Sequence, residues 1–439
     1  MSEDSTIIET DDIESVLEIL HSSSLVCFAI DSETIQSLID GVDREHKPNK
    51  VLIRDYVGTS ANIVGFIWNK ASSVWQGSRI FPDTVDSALS EYGLDAISGK
   101  SVHDACELWR KVFMLQFELI ESLCGVAPGF SLSSTAVKAA IPQDWQTGAR
   151  YFMRKNDIYR GIDAARYGGR IQMFCETGHT CNAIEYDLVS AYGWALTQRL
   201  PDWQVYERRI RVNEPGWYDC EVSLDGWVGP LPVRDGDKIA YPIETTVRGW
   251  YTREDLQRSR GIVVKKIYRE IAGRYSRDLS VAVGNWLEQR DKSVDKIVRS
   301  TLRALCVGLY GKLAQRDTSW NLWHTSNGNP PLGSRPLGYH LDSSWFVFPS
   351  NSQYPPLTIP TTASYVTALV RSKVWPYIHD GLALYTNTDS VHLDINHHNH
   401  PKTGNSAGDW IVKDYGFAYY HGVNHYRIGN KKVLPPILG

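Results

Sequence analysis

The strongest constraint on this chain is a pair of short segments, far apart in sequence, that each set an aspartate at the edge of a strand pattern. In Ala183-Ile-Glu-Tyr-Asp-Leu-Val-Ser-Ala-Tyr192, alternating apolar residues read as a buried strand running into Asp187, and Ser190 to Leu200 then takes helical spacing. In the second segment, strand patterns at Leu382 to Tyr385 and Val391 to Ile395 flank Thr386-Asn-Thr-Asp-Ser390, a tight hairpin with Asp389 at its tip. An acid at a strand-to-helix switch is either a metal ligand or a plain helix cap. Two such acids make the ligand reading worth pursuing, because paired carboxylates can hold divalent ions.

The 439 residues suffice for two or three packed units, and 42% apolar with 22% charged residues is an ordinary globular composition. No apolar run is long enough for a membrane span, and the acidic N-terminus lacks a signal-peptide pattern. Seven cysteines without a Cys-x-x-Cys pair predict reduced thiols in a cytoplasmic setting and no structural zinc. Charge is uneven: residues 1–60 carry 13 acids against 4 bases, whereas residues 251–316 carry 15 bases against 7 acids. A basic segment in an acidic protein suits local contact with phosphates, the alternative being a solvated charged face.

Along the chain, Ser24 to Asp31 reads as a buried strand ending in Asp31-Ser-Glu33, two carboxylates on one face that serve either as metal ligands or as a helix start. Val51 to Trp68 reads as a hairpin and 102–124 as a long helix with Asp104 near its start; 126–147 reads as a loop-like boundary. Ala165-Arg-Tyr-Gly-Gly-Arg170 puts a glycine pair between Arg166 and Arg170, which fits either a grip on a phosphate backbone or a plain hairpin. Residues 202–275 alternate short strands with Gly/Pro turns. Helices at 279–290 and 294–310 form a helical hairpin, and Lys292, Lys296, Arg299 and Arg303 recur at spacings that share one face. That basic ladder is a candidate cradle for a polyphosphate. His397-His-Asn-His400 reads as a polar loop. There is no G-x-S-x-G, no Walker A loop and no H-E-x-x-H, so nucleotidyl transfer fits the two aspartates and the ladder better than hydrolysis does.

With these residues in view, the sequence resembles the family B DNA polymerases, most closely the small protein-primed enzymes of phages and linear plasmids. Asp187-Leu-Val-Ser-Ala-Tyr192 resembles the family's motif A, Arg303-Ala-Leu-Cys-Val-Gly-Leu-Tyr-Gly311 its motif B, and Tyr385-Thr-Asn-Thr-Asp-Ser390 its motif C. Tyr167-Gly-Gly169 resembles the Y-x-G-G element that joins exonuclease and polymerase domains. The four occur in family order between about residues 160 and 426.

The resemblance implies an α+β right-hand polymerase fold, with a palm built on an antiparallel sheet and helical-hairpin fingers, behind a reduced ribonuclease-H-like exonuclease domain. It divides the chain into the exonuclease-like part (1–135), first palm segment (136–200), an insertion resembling the terminal-protein region (201–275), fingers (276–316), a hairpin insertion (317–360) and second palm segment (361–439), with the thumb short or absent. It implies Asp187, Asp389 and the Leu188 carbonyl as ligands of Mg²⁺, with Mn²⁺ as the alternative. Tyr192, Lys296, Arg299, Arg303 and Tyr310 would bind the nucleotide, and Arg166, Tyr167, Gly168, Gly169, Arg170 and Tyr426 the DNA. Asp31, Glu33 and Asp104 would be vestigial exonuclease residues. The implied partners are primer-template DNA, deoxynucleoside triphosphates and a terminal or accessory protein in place of the thumb, in the cytoplasm of a host cell.

This sequence departs from the pattern at Asn387 (first motif C aspartate), Val307-Gly308 (motif B Asn-Ser), Gly193 (motif A proline), Arg303 (lysine) and Asn424 (the lysine before Tyr426). These departures motivate two alternatives: untemplated or protein nucleotidylation, and a catalytically impaired polymerase-like binding subunit.

Overall fold

The computed structural model describes residues 66–69, 74–77, 118–126, 132–152, 157–207, 216–235, 238–258, 260–315, 320–326, 335–340, 343–349, 358–379 and 383–434. Asp31, Glu33 and Asp104 lie outside them, as does most of the expected exonuclease-like region. The chain forms two compact units, Met1–Ala139 with Arg316–Pro356, and Ala140–Gln315 with Leu357–Gly439.

In the first unit, β1 (Phe66–Asn69) and β2 (Val74–Gly77) form an antiparallel hairpin; residues 51–65 of the hairpin expected over Val51 to Trp68 lie outside the described residues. Residues 118–124 are helical, as is α1 (Leu132–Ala140). The expected hairpin insertion is a three-stranded sheet: β11 (Trp320–Ser326), β13 (Ser343–Pro349) and β12 (Arg335–His340), with β13 central.

The second unit begins with α2 (Gln143–Phe152) and α3 (Asp157–Ala164). The expectation of a loop over 126–147 is thus corrected. Pro142 starts a helix rather than breaking one, and its carbonyl accepts the Gln146 amide. Gly148 lies inside α2 because a Cβ there would stand 2.5 Å from the Trp203 ring.

Two antiparallel sheets follow. The larger has seven strands in the order β18 (Lys431–Val433), β17 (His425–Ile428), β16 (Trp410–Gly422), β4 (His179–Leu188), β15 (Ser390–Asp394), β14 (Ala383–Thr388) and β3 (Arg170–Met173). The smaller has four: β5 (Leu200–Glu207), β10 (Ile262–Ser276), β6 (Gly216–Leu224) and β9 (Thr245–Thr252). A separate pair, β7 (Val233–Asp235) and β8 (Lys238–Ala240), closes the turn region. Alternation on β6 buries Tyr218, Cys220, Val222 and Leu224 in one core with Tyr167 and Tyr251. In the larger sheet, Ala183, Tyr385, Ala418, Tyr420, Tyr426 and Ile428 form another.

Short α4 (Ala191–Leu196) and α5 (Arg253–Arg258) flank the sheets. The helical hairpin is α6 (Asp278–Lys292) and α7 (Lys296–Leu313). Asp295 caps α7, its carboxylate accepting the Ile297 and Val298 amides. α8 (Pro360–His379) is buried on every side over Pro360–Val370, where the hydroxyls of Thr362, Ser364 and Thr367 are taken up by backbone carbonyls. It is tied to the smaller sheet by Trp217 Nε1 to Ser364 Oγ (2.9 Å) and by Tyr365 Oη to the Gly216 carbonyl (2.9 Å). No helix among the described residues is long and apolar enough to cross a membrane.

Candidate active site

Asp187 lies within β4, which is paired on both edges, with β15 and with β16. The cap reading fails: the N-cap of α4 is Ser190, in the left-handed region at φ 48°. The turn after β4 is fixed by backbone bonds, Val189 N to the Asp409 carbonyl (2.9 Å) and Gly408 N to the Val189 carbonyl (2.7 Å). The buried guanidinium of Arg290, from α6, donates to Ser190 Oγ and holds Asp291 at 2.6 Å. Gly193 in α4 faces Leu287 of α6 and Cys306 of α7; a Cβ would meet Leu287 at 3.2 Å. A small residue there lets the helical hairpin approach the strand that carries Asp187.

Asp389 sits in the turn between β14 and β15. Ser390 registers with Asp187, and the Leu188 amide donates to the Asp389 carbonyl at 3.0 Å. The turn is tight: Asp389 N donates to the Asn387 carbonyl (2.7 Å), and Thr388 is forced to φ 59°, a strained setting for a β-branched residue. Gly169 lies directly beneath, where a Cβ would stand 2.4 Å from Thr388 Cγ2 and 2.8 Å from its Cα. Gly169 therefore serves close backbone approach, and the partner approached is the turn carrying Asp389.

The two carboxylates repel each other in a half-buried setting. Burial, then the charge of Asp187, pushes Asp389 up to about 6. Burial also raises Asp187, outweighing the opposing pull of Lys413 and Arg303. Lys413 Nζ stands 3.5 Å from Asp187 Oδ2. Arg303, exposed on α7, acts on both carboxylates, and Lys296 and Arg299 are exposed on the same helix. Tyr192 and Tyr310 stack with centroids 4.3 Å apart and planes within 8°.

Among the described residues no group of three or more His, Cys, Asp or Glu side chains is built to hold a metal. Two crowded carboxylates still fit Mg²⁺, which binds through one or two carboxylates and takes its other ligands from water and phosphate. The raised proton affinities express burial first and, at Asp389, the second carboxylate; Lys413 and Arg303 offset them only in part.

No family model and no curated protein sequence matches the chain. The fold is similar to that of phi29 DNA polymerase. The phi29 enzyme solved with primer-template DNA and incoming nucleotides matches at a TM-score of 0.59 and 13% identity, over 82% of this chain and 70% of that one. The same enzyme with single-stranded DNA matches at 0.61 and 12% identity, over 94% of this chain and 80% of that one. At such identity the likeness concerns the fold, a mixed one of helices and curled antiparallel sheets.

Several expected roles change with the geometry. Arg166 and Arg170 are buried: Arg166 pairs with Asp163 at 2.6 Å and donates to the Ala314 carbonyl, while Arg170 donates to the Gly229 carbonyl (2.8 Å) and lies over the Tyr241 ring. Tyr167 is a core residue stacked on Tyr251, leaving Gly168 as the exposed residue of the element. These side chains are committed to the fold, so a direct grip on a phosphate backbone does not suit them. Tyr426 is likewise buried among Tyr385, His392 and Tyr420. Lys292 leaves the ladder, because it ends α6 and pairs with Glu288 at 2.5 Å.

Other residues emerge only from the structure. Glu185, two residues before Asp187 on the same face, is buried against Lys431 Nζ at 2.5 and 2.7 Å. Burial opposes the Lys431 charge, but Glu185 more than offsets it and raises the lysine above its usual range. Arg371, buried on α8, binds Asp255 at 2.7 Å and donates to the carbonyls of Tyr167 (2.7 Å) and Gly168 (3.0 Å), pinning the turn under Asp389. No local pattern marks Lys413, Arg371 or Lys431, since each meets its partner across a long stretch of chain.

Proposed function

We propose that the chain is a DNA-directed DNA polymerase that adds deoxynucleotides to a primer hydroxyl, a DNA 3′-OH or a protein hydroxyl. The observation that carries this reading is the close placement of Asp187 on β4 and Asp389 in the turn before its partner strand β15, with the exposed Arg303 of α7 acting on both. The fold likeness to phi29 DNA polymerase supports it.

Asp187 and Asp389 would hold Mg²⁺, or Mn²⁺ in its place, which when bound activates the primer hydroxyl and offsets charge on the attacked phosphate. Arg303, with Arg299 and Lys296, would receive the triphosphate; the arginine fork suits two phosphate oxygens at once. Tyr192 and Tyr310 would order the sugar and base of the incoming nucleotide. In the transfer, a bond forms from the primer oxygen to the α-phosphorus and the bond to the pyrophosphate oxygen breaks. Primer-template DNA, deoxynucleoside triphosphates and a terminal or accessory protein would be the partners, and host cytoplasm the setting. Proofreading would be inactive.

Primer extension with Mg²⁺ tests this. Incorporation must be template-dependent and must vanish in both Asp187→Asn and Asp389→Asn. Template-independent products would point to untemplated transfer instead, and DNA binding without incorporation under either metal would sink the polymerase reading. Degradation of single-stranded DNA that is lost in Asp31→Ala would overturn the absence of proofreading.

A further inference from the structure

β16 presents a row of exposed rings that the proposed active site does not use. Tyr415, Phe417 and Tyr419 are 69%, 60% and 39% exposed and follow one another at alternate positions. Cross-strand register puts Asn182 and Thr180 of β4 beside Phe417 and Tyr419 on the same face. On the other side Tyr419 registers with Arg427, and Arg427 with Lys432, both exposed. The Arg427 Nε donates only to the Gly429 carbonyl, at 3.3 Å, and neither cation has an ion pair among the described residues.

This face is not the one that carries the carboxylates. Asp187 and Glu185 project from one side of β4, and Thr180 and Asn182 from the other. In β16 the register shifts between Val412 and Asp414, so Lys413 is an extra residue beside Asp187. Beyond that bulge the alternation is reversed, and Tyr415, Phe417 and Tyr419 point away from the carboxylates.

We propose that this face is a binding platform for single-stranded DNA. Rings at alternate strand positions stand about 6.8 Å apart, roughly twice the phosphate repeat of a stacked strand, a spacing that suits bases drawn out of their stack. Aromatic rings on an open sheet take such bases face to face, with cations alongside for the backbone. Arg427 and the rings would suit a protein interface as well, but Lys432 and the exposed polar Thr180 and Asn182 among them favour a nucleic acid, since lysine is depleted at protein-interface cores and a phosphate backbone takes cations beside the stacked bases. The choice of DNA over RNA rests on the polymerase reading above; the existence of the platform does not.

The test is fluorescence anisotropy of a labelled oligo(dT) with the full chain, while saturating unlabelled primer-template occupies the catalytic side. Tyr415→Ala and Phe417→Ala should each weaken binding at least about fivefold, and Tyr415→Trp and Phe417→Trp should retain it. Arg427→Gln with Lys432→Gln should lower the slope of log affinity against log salt by about 1.4, roughly 0.7 per cation. Melting of each variant at the wild-type temperature confirms that surface rings alone have changed. Unchanged oligo(dT) binding in the alanine variants, or complete displacement by primer-template, overturns the platform. Equal or tighter binding of oligo(U) overturns its assignment to DNA. Primer extension is scored separately, so a failed polymerase reading leaves the binding result legible.

Discussion

Gly169→Ala is the sharpest perturbation of the proposed site, because it adds a single methyl group beneath the turn that carries Asp389. The new Cβ would stand 2.4 Å from Thr388 Cγ2 and 2.8 Å from Thr388 Cα. Rotating the threonine side chain removes the first contact. The second is backbone, and ordinary contact requires about 3.4 Å or more, so one of the two chains must move by about half an ångström. The turn cannot yield freely: Thr388 is already held at φ 59° by the Asp389 N to Asn387 carbonyl bond and by Ser390 Oγ to the same carbonyl (3.2 Å). Nor can residue 169, since Arg371 holds the carbonyls of Tyr167 and Gly168 just before it. Overpacking of this kind costs about 1–3 kcal/mol, and sub-ångström displacement of a reacting group costs on the order of tenfold to a hundredfold in rate. Denaturant melts and primer-extension rates read the two effects separately. Thr388→Gly in the same chain should restore much of both, since it removes the side chain and frees the strained φ. Wild-type stability and rate in Gly169→Ala would refute the reasoning.

Three other perturbations probe the surrounding charges. Lys413→Ala removes the cation beside Asp187; because Lys413 is exposed, metal-free stability should fall by less than about 1 kcal/mol, while the rise in melting temperature on adding Mg²⁺ should grow. Arg371→Met leaves Asp255, whose side chain is 3% exposed, with only its Thr252 hydrogen bonds and takes the donor from the Tyr167 and Gly168 carbonyls; it should cost about 3–5 kcal/mol in denaturant melts, only partly recovered by adding Asp255→Asn, which removes the unpaired charge and keeps an acceptor for Thr252. His392 is held neutral, mainly by burial and then by Lys431, and its pKa is depressed to about 3. The unfolded chain binds that proton near pH 6.5 and the folded one does not, so stability should fall as pH drops below about 6.5, by about 1.4 kcal/mol per unit. His392→Gln should lack that component in melts compared at pH 5 and pH 7.

What the sequence reveals here follows the range of each interaction. β4, the turn at Asp389 and the helical hairpin are legible because each rests on local periodicity and turn chemistry. The ladder was legible except at its first member, because the same spacing continues across the break between α6 and α7 while the helix axis does not. The burial of Arg166, Arg170 and Tyr426 is hidden in the sequence for another reason. A basic or aromatic residue next to a motif looks the same in sequence whether it faces solvent or the core, and here the partners that bury it, Ala314, Gly229 and Tyr385, lie on distant segments.

The bulge in β16 shows this limit most clearly. Read as an unbroken strand, Lys413, Tyr415, Phe417 and Tyr419 alternate as one face, and the rings would be assigned to the side of the carboxylates. One extra residue divides them. Register places Ile411 opposite Asp187 and Asp414 opposite Glu185, so Lys413 is left unpaired and reaches Asp187 while the rings turn outward. Nothing in the residue types specifies the insertion; it follows from fitting β16 to β4 on one edge and to β17 on the other, where a further register shift follows Tyr420. A single strand thereby supplies a cation to one face of the sheet and an aromatic row to the other. Deleting one residue at 413 would not merely remove a lysine: it would leave the carboxylate pair without its nearest cation and force the two halves of β16 into a single register.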